Sequence, residues 1–390
     1  MASEKTRFWI LIALVSISGF SQGMLLPLLS IILEQNGISS SVNGLHATGL
    51  YIGILIASPF MEKPLQKFGY KPLILVGGML VFVSMAIFPF WQALWFWFIL
   101  RMVIGIGDQM LHFGTQTWIT STSTIKNRGR NVAYYGLFFA LGFMLGPLMT
   151  RLLSINEALP FFVSAALSMI VWSSMFFVRN KWPEQDASSM NTANTRGSLG
   201  RFIKTVQIAW VALLPGFGYG FLEASLHSIF PIYGMRIGHD VDILALIIPC
   251  FAAGSILTQL PLGILSDRIG RKKVLSAVLS FGTIGFIAAA FLENSIPALF
   301  ILFSLTGMLV GSMYSLGISY MTDLLPLSLL PAGNLMIGIS FSLGSISGPI
   351  LGGLFVEILP GVSFFFLIAG MLILILIALL TQRNKTAHIP

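Results

Sequence analysis

The sequence predicts an all-α membrane protein, with twelve transmembrane helices in two pseudo-symmetric six-helix bundles. Three observations predict it. The chain is 56% hydrophobic and 9% charged, with a mean hydropathy of +0.88. Soluble domains carry about 25% charged residues, and a surface this poor in charge belongs in lipid. The apolar runs are roughly 20 residues long, the length of a helix across a bilayer, whereas a barrel would show alternating segments of about 10. Finally, the chain repeats itself. Gly136, Gly142, Gly146 and Pro147 recur as Gly338, Gly344, Gly348 and Pro349, each 202 positions on.

In a bilayer only helices and closed barrels satisfy their own backbone groups. The spans are expected at roughly 8–33, 43–61, 72–91, 94–119, 131–152, 159–178, 206–233, 243–264, 273–292, 297–321, 333–357 and 361–381. The first follows a short polar start and has no small-residue cleavage site behind it, so it reads as a retained span. The long polar connection at 179–205 reads as a flexible linker. It divides the chain into an N-terminal bundle (1–178) and a C-terminal bundle (206–390). The other loops are too short for a soluble domain. The repeat extends to the loops: Gln66-Lys67-Phe68-Gly69-Tyr70-Lys71 before span 3 matches Asp267-Arg268-Ile269-Gly270-Arg271-Lys272 before span 9, offset by 201. Gly105 and Gly107 in span 4 match Gly307 in span 10. Several matches in one order at nearly one offset indicate parallel repeats.

The net charge is +8. All Lys and Arg except Arg101, Arg151 and Arg236 fall on one side when both termini are placed in the cytoplasm. The positive-inside rule accounts for that charge without a nucleic-acid partner. A bacterial-type plasma membrane is the expected location. The lone Cys250 excludes an intrachain disulfide. No phosphate loop, Cys-x-x-Cys or His-Glu-x-x-His is present, and Gly105-Ile106-Gly107 lies inside an apolar helix. No enzyme activity, cofactor or metal is therefore expected.

Gly263-Ile264-Leu265-Ser266-Asp267-Arg268-Ile269-Gly270-Arg271-Lys272 resembles the loop signature of the major facilitator superfamily. The resemblance covers the whole chain. It implies that Gly263, Asp267, Arg268, Gly270 and Arg271 contribute contacts that stabilise an outward-facing state. The first-half loop departs from the pattern, with Gln66 where Asp is usual and Glu62 where Gly is usual. Gly142, Gly146 and Pro147 resemble the span 5 signature associated with antiporters, with Thr150 in place of its last glycine. Gly348 and Pro349 begin a fuller version in span 11. Physically, such glycines let helices pack closely and the proline bends them. Leu100-Arg101-x3-Gly105-Ile106-Gly107 resembles the span 4 signature of proton-driven drug exporters, and Asn127-Arg128-Gly129-Arg130 the turn after it. The resemblance implies a monomer working by alternating access, with spans 1, 4, 7 and 10 lining a central cavity.

Ionisable groups in mid-membrane cost on the order of 2.5–3.5 kcal/mol or more and usually face a wet cavity. Span 4 holds Arg101, Asp108, His112 and Gln116. The first three fall within about 40° of one another around a helix, one polar stripe. That stripe either relays protons and holds a solute, or is a satisfied network in which Arg101 pairs with Asp108 across two turns. Span 7 holds Glu223 and His227, four apart on one face. A carboxyl in apolar surroundings suits proton coupling, so Glu223 is the leading proton carrier, with a hydrogen bond between helices as its structural alternative. Asp108, Arg101 and His112 complete the proton-coupling set. Gln22, at the repeat position of Glu223, together with Gln116, His227, Phe113, Tyr219 and Tyr314, is expected to contact substrate. Glu34, Glu157, Asp240, Asp242, Glu293 and Glu357 are read as ordinary charges at helix ends and loops.

The expected function is secondary active transport: proton-coupled efflux of a small hydrophobic or amphipathic solute, with a multidrug-resistance character. Protons and membrane lipid are the other expected partners. Proton-coupled uptake of a metabolite, flipping of a lipid-linked substrate and a non-transporting membrane sensor remain as alternatives.

Overall fold

The computed structural model describes residues 3–183, 195–326 and 329–382. The middle of the expected linker, and Arg383 and Lys385, lie outside the described residues. Regular structure among the described residues is helical: α1 (Glu4–Gln35), α2 (Ser40–Ala47), α3 (Gly49–Ala57), α4 (Glu62–Phe68), α5 (Tyr70–Ile87), α6 (Leu94–Thr122), α7 (Ile125–Leu145), α8 (Leu159–Ser173), α9 (Thr195–Ser228), α10 (Phe230–Arg236), α11 (Val241–Ile269), α12 (Arg271–Leu292), α13 (Ile296–Val310), α14 (Met313–Leu324), α15 (Leu330–Ile358) and α16 (Phe365–Thr381).

Every expected span has helix at its place. Among the described residues, ten helical stretches are long and apolar enough to cross a membrane. The pair Ser40–Phe60 and Glu62–Phe68, bent by 58°, makes an eleventh, and α16 is a shorter apolar helix of 17 residues. Several spans expected to be continuous are broken. Span 2 parts at Thr48 and tightens to a 3-10 turn at Ser58–Phe60. Span 5 continues beyond Leu145 as 3-10 helix over Gly146–Ser154, and span 7 parts at Ile229. Pro59, Pro147 and Pro231 stand at three of these breaks. A proline lacks the backbone donor that the preceding turn would use, and its ring crowds that turn.

Two compact units are present. The first comprises Met1–Ile38, Leu45–Gln185 and Asp240–Pro249, the second Ser39–Gly44, Asp186–His239 and Cys250–Pro390. In the first unit α1 is buried along most of its length and packs against α7, α8 and the Gly146–Ser154 turn. There α3 packs on α6, and α5 on α6 and α8. In the second, α9 packs on α15 and α14, and α12 on α13 and α16.

The sequence repeat is a repeat of these contacts. A Cβ on Gly142 would collide with the Ser16 carbonyl, and one on Gly105 with that of Leu50. In the second unit a Cβ on Gly344 would collide with the Phe217 carbonyl, and one on Gly307 with that of Phe251. Each partner is displaced by 201 or 202 positions. Backbone meets backbone at these crossings, and no larger residue fits without parting the helices.

Candidate functional site

In the first unit the structure assembles a buried polar network around Asp108. Ser18 and Gln22 are four apart on α1, Asp108 and His112 four apart on α6, so each pair presents one face. The Ser18 hydroxyl donates to Asp108 Oδ1 at 2.6 Å. Ser18 Oγ also lies 3.1 Å from His112 Nε2, and the Gln22 amide donates to it at 3.5 Å. Gln22 Nε2 is 3.4 Å from the same His112 nitrogen. On the other edge of the ring, His112 Nδ1 is 2.5 Å from the Tyr135 hydroxyl of α7. Phe139 closes the ring edge-on at 5.1 Å. Asp108–Ser18–His112–Tyr135 is thus a continuous hydrogen-bonded chain across three helices. Its hydroxyl, imidazole and phenol links can each both accept and donate a proton. Asp108 is fully buried, and its Oδ2 has no hydrogen-bonding partner among the described residues.

Arg101 does not join this network. It is fully buried, yet among the described residues none of its guanidinium nitrogens has a hydrogen-bonding partner, Asp108 included. The pairing that the helical stripe allowed is absent. Its electrostatic neighbours are Tyr51 of α3 and His46 of α2. The His46 ring is committed to the Leu94 carbonyl, 3.1 Å away, and to Phe98, 5.8 Å away. A permanent charge buried in this way is costly. Gln116 and Phe113 also stay outside the network: Gln116 is exposed and Phe113 packs against the hydrophobic core.

In the second unit Glu223 stands beside an aromatic cluster. The Tyr219 and Tyr314 rings are 6.1 Å apart, Tyr314 and Phe341 5.5 Å, Tyr219 and Phe341 6.2 Å. Tyr314 interacts electrostatically with Glu223. His227 is buried, with Nδ1 2.8 Å from the Glu223 carbonyl. The two clusters occupy the same places in the repeat. Ser18, Gln22, His112 and Phe139 correspond to Tyr219, Glu223, Tyr314 and Phe341 at offsets of 201, 201, 202 and 202. The first unit makes this position a hydrogen-bonded polar cage. The second makes it an aromatic cage with one carboxyl.

Ser18, Tyr135, Phe139 and Phe341 were missed by sequence reasoning. Serines and aromatics are common in apolar helices, and only their contacts single these out. The repeat offset was an available signal, since it maps the expected Tyr219 and Tyr314 onto Ser18 and His112.

The two repeat loops are built differently. In the second unit Arg271 Nη2 meets Asp267 at 2.7 Å and its Nε meets Asp323 at 3.0 Å. Gly270 turns the chain there at φ 102°, while Arg268 is exposed on the last turn of α11, which also carries Gly263. In the first unit Tyr70 stands at the place of Arg271. It lies flat on Trp118, 5.1 Å away and 13° from parallel, and its hydroxyl is 3.1 Å from Ser121 Oγ. The Arg7 guanidinium sits 5.6 Å above the Trp118 ring. Stacked aromatics and a neutral hydrogen bond replace the ion pairs.

The profile of the Major Facilitator Superfamily matches residues 11–249 and again residues 237–389. The chain belongs to this superfamily. It is 51% identical over 386 residues to the uncharacterized MFS-type transporter YfkF of Bacillus subtilis (strain 168), covering 98% of this chain and 97% of that protein. Multidrug resistance protein 1 of the same organism is 25% identical, covering 100% and 99%. Among solved structures, a D323A mutant of the nucleoside transporter NupG superposes with a TM-score of 0.76 at 16% identity, covering 96% of this chain and 98% of that one. A bacterial homologue of the human lysosomal transporter Spinster gives 0.74 at 15% identity, covering 97% and 96%. The protein is a multi-pass membrane transporter of small molecules, and this family is not one of enzymes.

Proposed function

We propose that this superfamily member is a proton-coupled exporter of a small hydrophobic or amphipathic solute, working by alternating access as a monomer. In this reading its six-helix halves join at the 179–205 linker and both termini are cytoplasmic. The observation that carries the proposal is one acid at the cage of each repeat unit: Asp108 in its hydrogen-bonded chain, and Glu223 in its aromatic surroundings. A carboxyl away from water exchanges charge for neutrality at a cost small enough to be driven by a transmembrane gradient. In the first unit the proton passes along Asp108, Ser18, His112 and Tyr135. In the second, Glu223 holds either a proton or the cationic part of a solute resting on Tyr219, Tyr314 and Phe341, with His227 one turn away. Mutual exclusion at Glu223 couples the two movements. The relative named Multidrug resistance protein 1 supports an exporter of this kind.

Proton release on adding solute to proteoliposomes tests the coupling. Glu223→Gln and Asp108→Asn are each expected to abolish it, and unchanged coupled transport in both variants overturns the assignment. A second reading, proton-coupled uptake of an acidic metabolite, is favoured by the Arg101 guanidinium, which a solute carboxylate would satisfy. Accumulation of a carboxylate solute driven by an inward proton gradient, lost in Arg101→Met, would select that reading.

A further inference from the structure

Within the first unit a cavity of about 350 Å³ lies away from the Asp108 network, with Pro89, Gln92, Trp97, Asn156, Glu157 and Phe161 among its lining residues. Its volume falls within the range of small-ligand pockets, which starts at about 300 Å³. Trp97 precedes Asp108 by eleven residues on α6, about 16 Å along the helix axis. The cavity therefore shares no group with the polar network.

Its inner wall is aromatic and rigid. Trp97 and Phe161 are buried, at 3% and 2% exposure. The Trp97 indole donates to the Phe88 carbonyl at 3.0 Å, and Phe161 stacks on Phe88 at 5.2 Å and 12°. Rings already fixed cost no further ordering when a ligand arrives. The mouth is polar. Asn156 Oδ1 is engaged by the Ala158 amide at 2.8 Å. Glu157 is the one charged residue of the lining, exposed, with the Gln92 amide donating to its Oε2 at a long 3.3 Å. A carboxylate at the rim of an aromatic hollow rewards one ligand type, an apolar body carrying a positive head. Anions are repelled, and neutral molecules without a hydrogen-bond donor leave the carboxylate unused.

We infer that this cavity is a second binding site, distinct from the transport cages, for a hydrophobic ammonium cation held between Glu157 and the Trp97–Phe161 wall. A free amphiphilic amine and a phosphatidylethanolamine headgroup share that chemistry.

The test is photolabelling of the full-length protein in nanodiscs of phosphatidylglycerol with trimethyl(4-benzoylbenzyl)ammonium, mapped by mass spectrometry. Label is expected on peptides containing 89–97 or 156–161. Glu157→Gln, an exposed substitution that leaves the fold alone, is expected to reduce this label at least fivefold. Asp108→Asn and Glu223→Gln leave it unchanged, so the site stands or falls separately from the proposed coupling. Adding phosphatidylethanolamine separates the sources: suppression identifies the lipid headgroup, retention a free amine. Absence of label from both segments overturns the inference. So does equal labelling of the Glu157→Gln protein, or equal labelling by neutral 4-methylbenzophenone.

Discussion

Ser18→Ala removes one oxygen and tests the chain around Asp108. The hydroxyl donates to Asp108 Oδ1 at 2.6 Å and is 3.1 Å from His112 Nε2. With alanine the carboxylate loses its hydrogen-bonded route to His112 and Tyr135. A hydrogen bond to a charged group contributes about 1.5–3 kcal/mol. At about 1.36 kcal/mol per decade, that is roughly a 10–150-fold effect on a step requiring charged Asp108 in contact with the chain. Gln22, whose amide also neighbours Asp108 and His112, does not substitute, because an amide N–H donates a hydrogen bond without relaying a proton as a hydroxyl does. Purified protein in proteoliposomes, loaded with a pH-sensitive dye and given ethidium as solute, reads proton movement and solute movement separately. The expected result is at least a tenfold fall in proton-coupled flux. Ser18→Thr, which keeps the hydroxyl, recovers most of it. Wild-type coupling in Ser18→Ala would refute the chain, whatever Asp108→Asn does.

Three further outcomes follow from the geometry. Tyr135→Phe leaves His112 Nδ1 without its 2.5 Å partner; the same assay should show slowed proton movement while solute exchange without a gradient persists. Gly344→Val drives a branched side chain into the Phe217 carbonyl; overpacking against backbone costs about 1–3 kcal/mol or more, seen as a lowered melting temperature in detergent. Arg271→Ala removes ion pairs whose acids, Asp267 and Asp323, are 60% and 54% exposed; stability should change by less than about 1 kcal/mol. The salt dependence of transport should nonetheless flatten, whereas Tyr70→Phe, which keeps the stack on Trp118, should leave it unaltered.

The membrane class, the places of the spans and the internal repeat were legible because lipid imposes them on composition. A helix in hydrocarbon needs an apolar run of fixed length, and close crossings need glycine, so Gly142 and Gly344 announce themselves as a pair. Asp108, His112 and Glu223 were legible for the converse reason, since ionisable groups in such runs are expensive and few. What a helical wheel cannot do is choose partners. It put Arg101, Asp108 and His112 on one stripe, but Ser18 and Tyr135 come from α1 and α7 and take only Asp108 and His112. The helix break near Thr48 was hidden for a related reason: no proline marks it, and an apolar run reads the same whether its backbone is straight or bent. The sequence alone therefore determined that this chain crosses a bilayer as a duplicated helical protein with rare buried charges. Tertiary structure alone decided which charges meet, that Arg101 has no hydrogen-bonding partner among the described residues, and that Glu157 stands at the rim of an aromatic cavity. Hydrophobicity is a property of each residue taken singly, while a hydrogen bond or a cavity depends on how neighbouring helices are rotated and crossed.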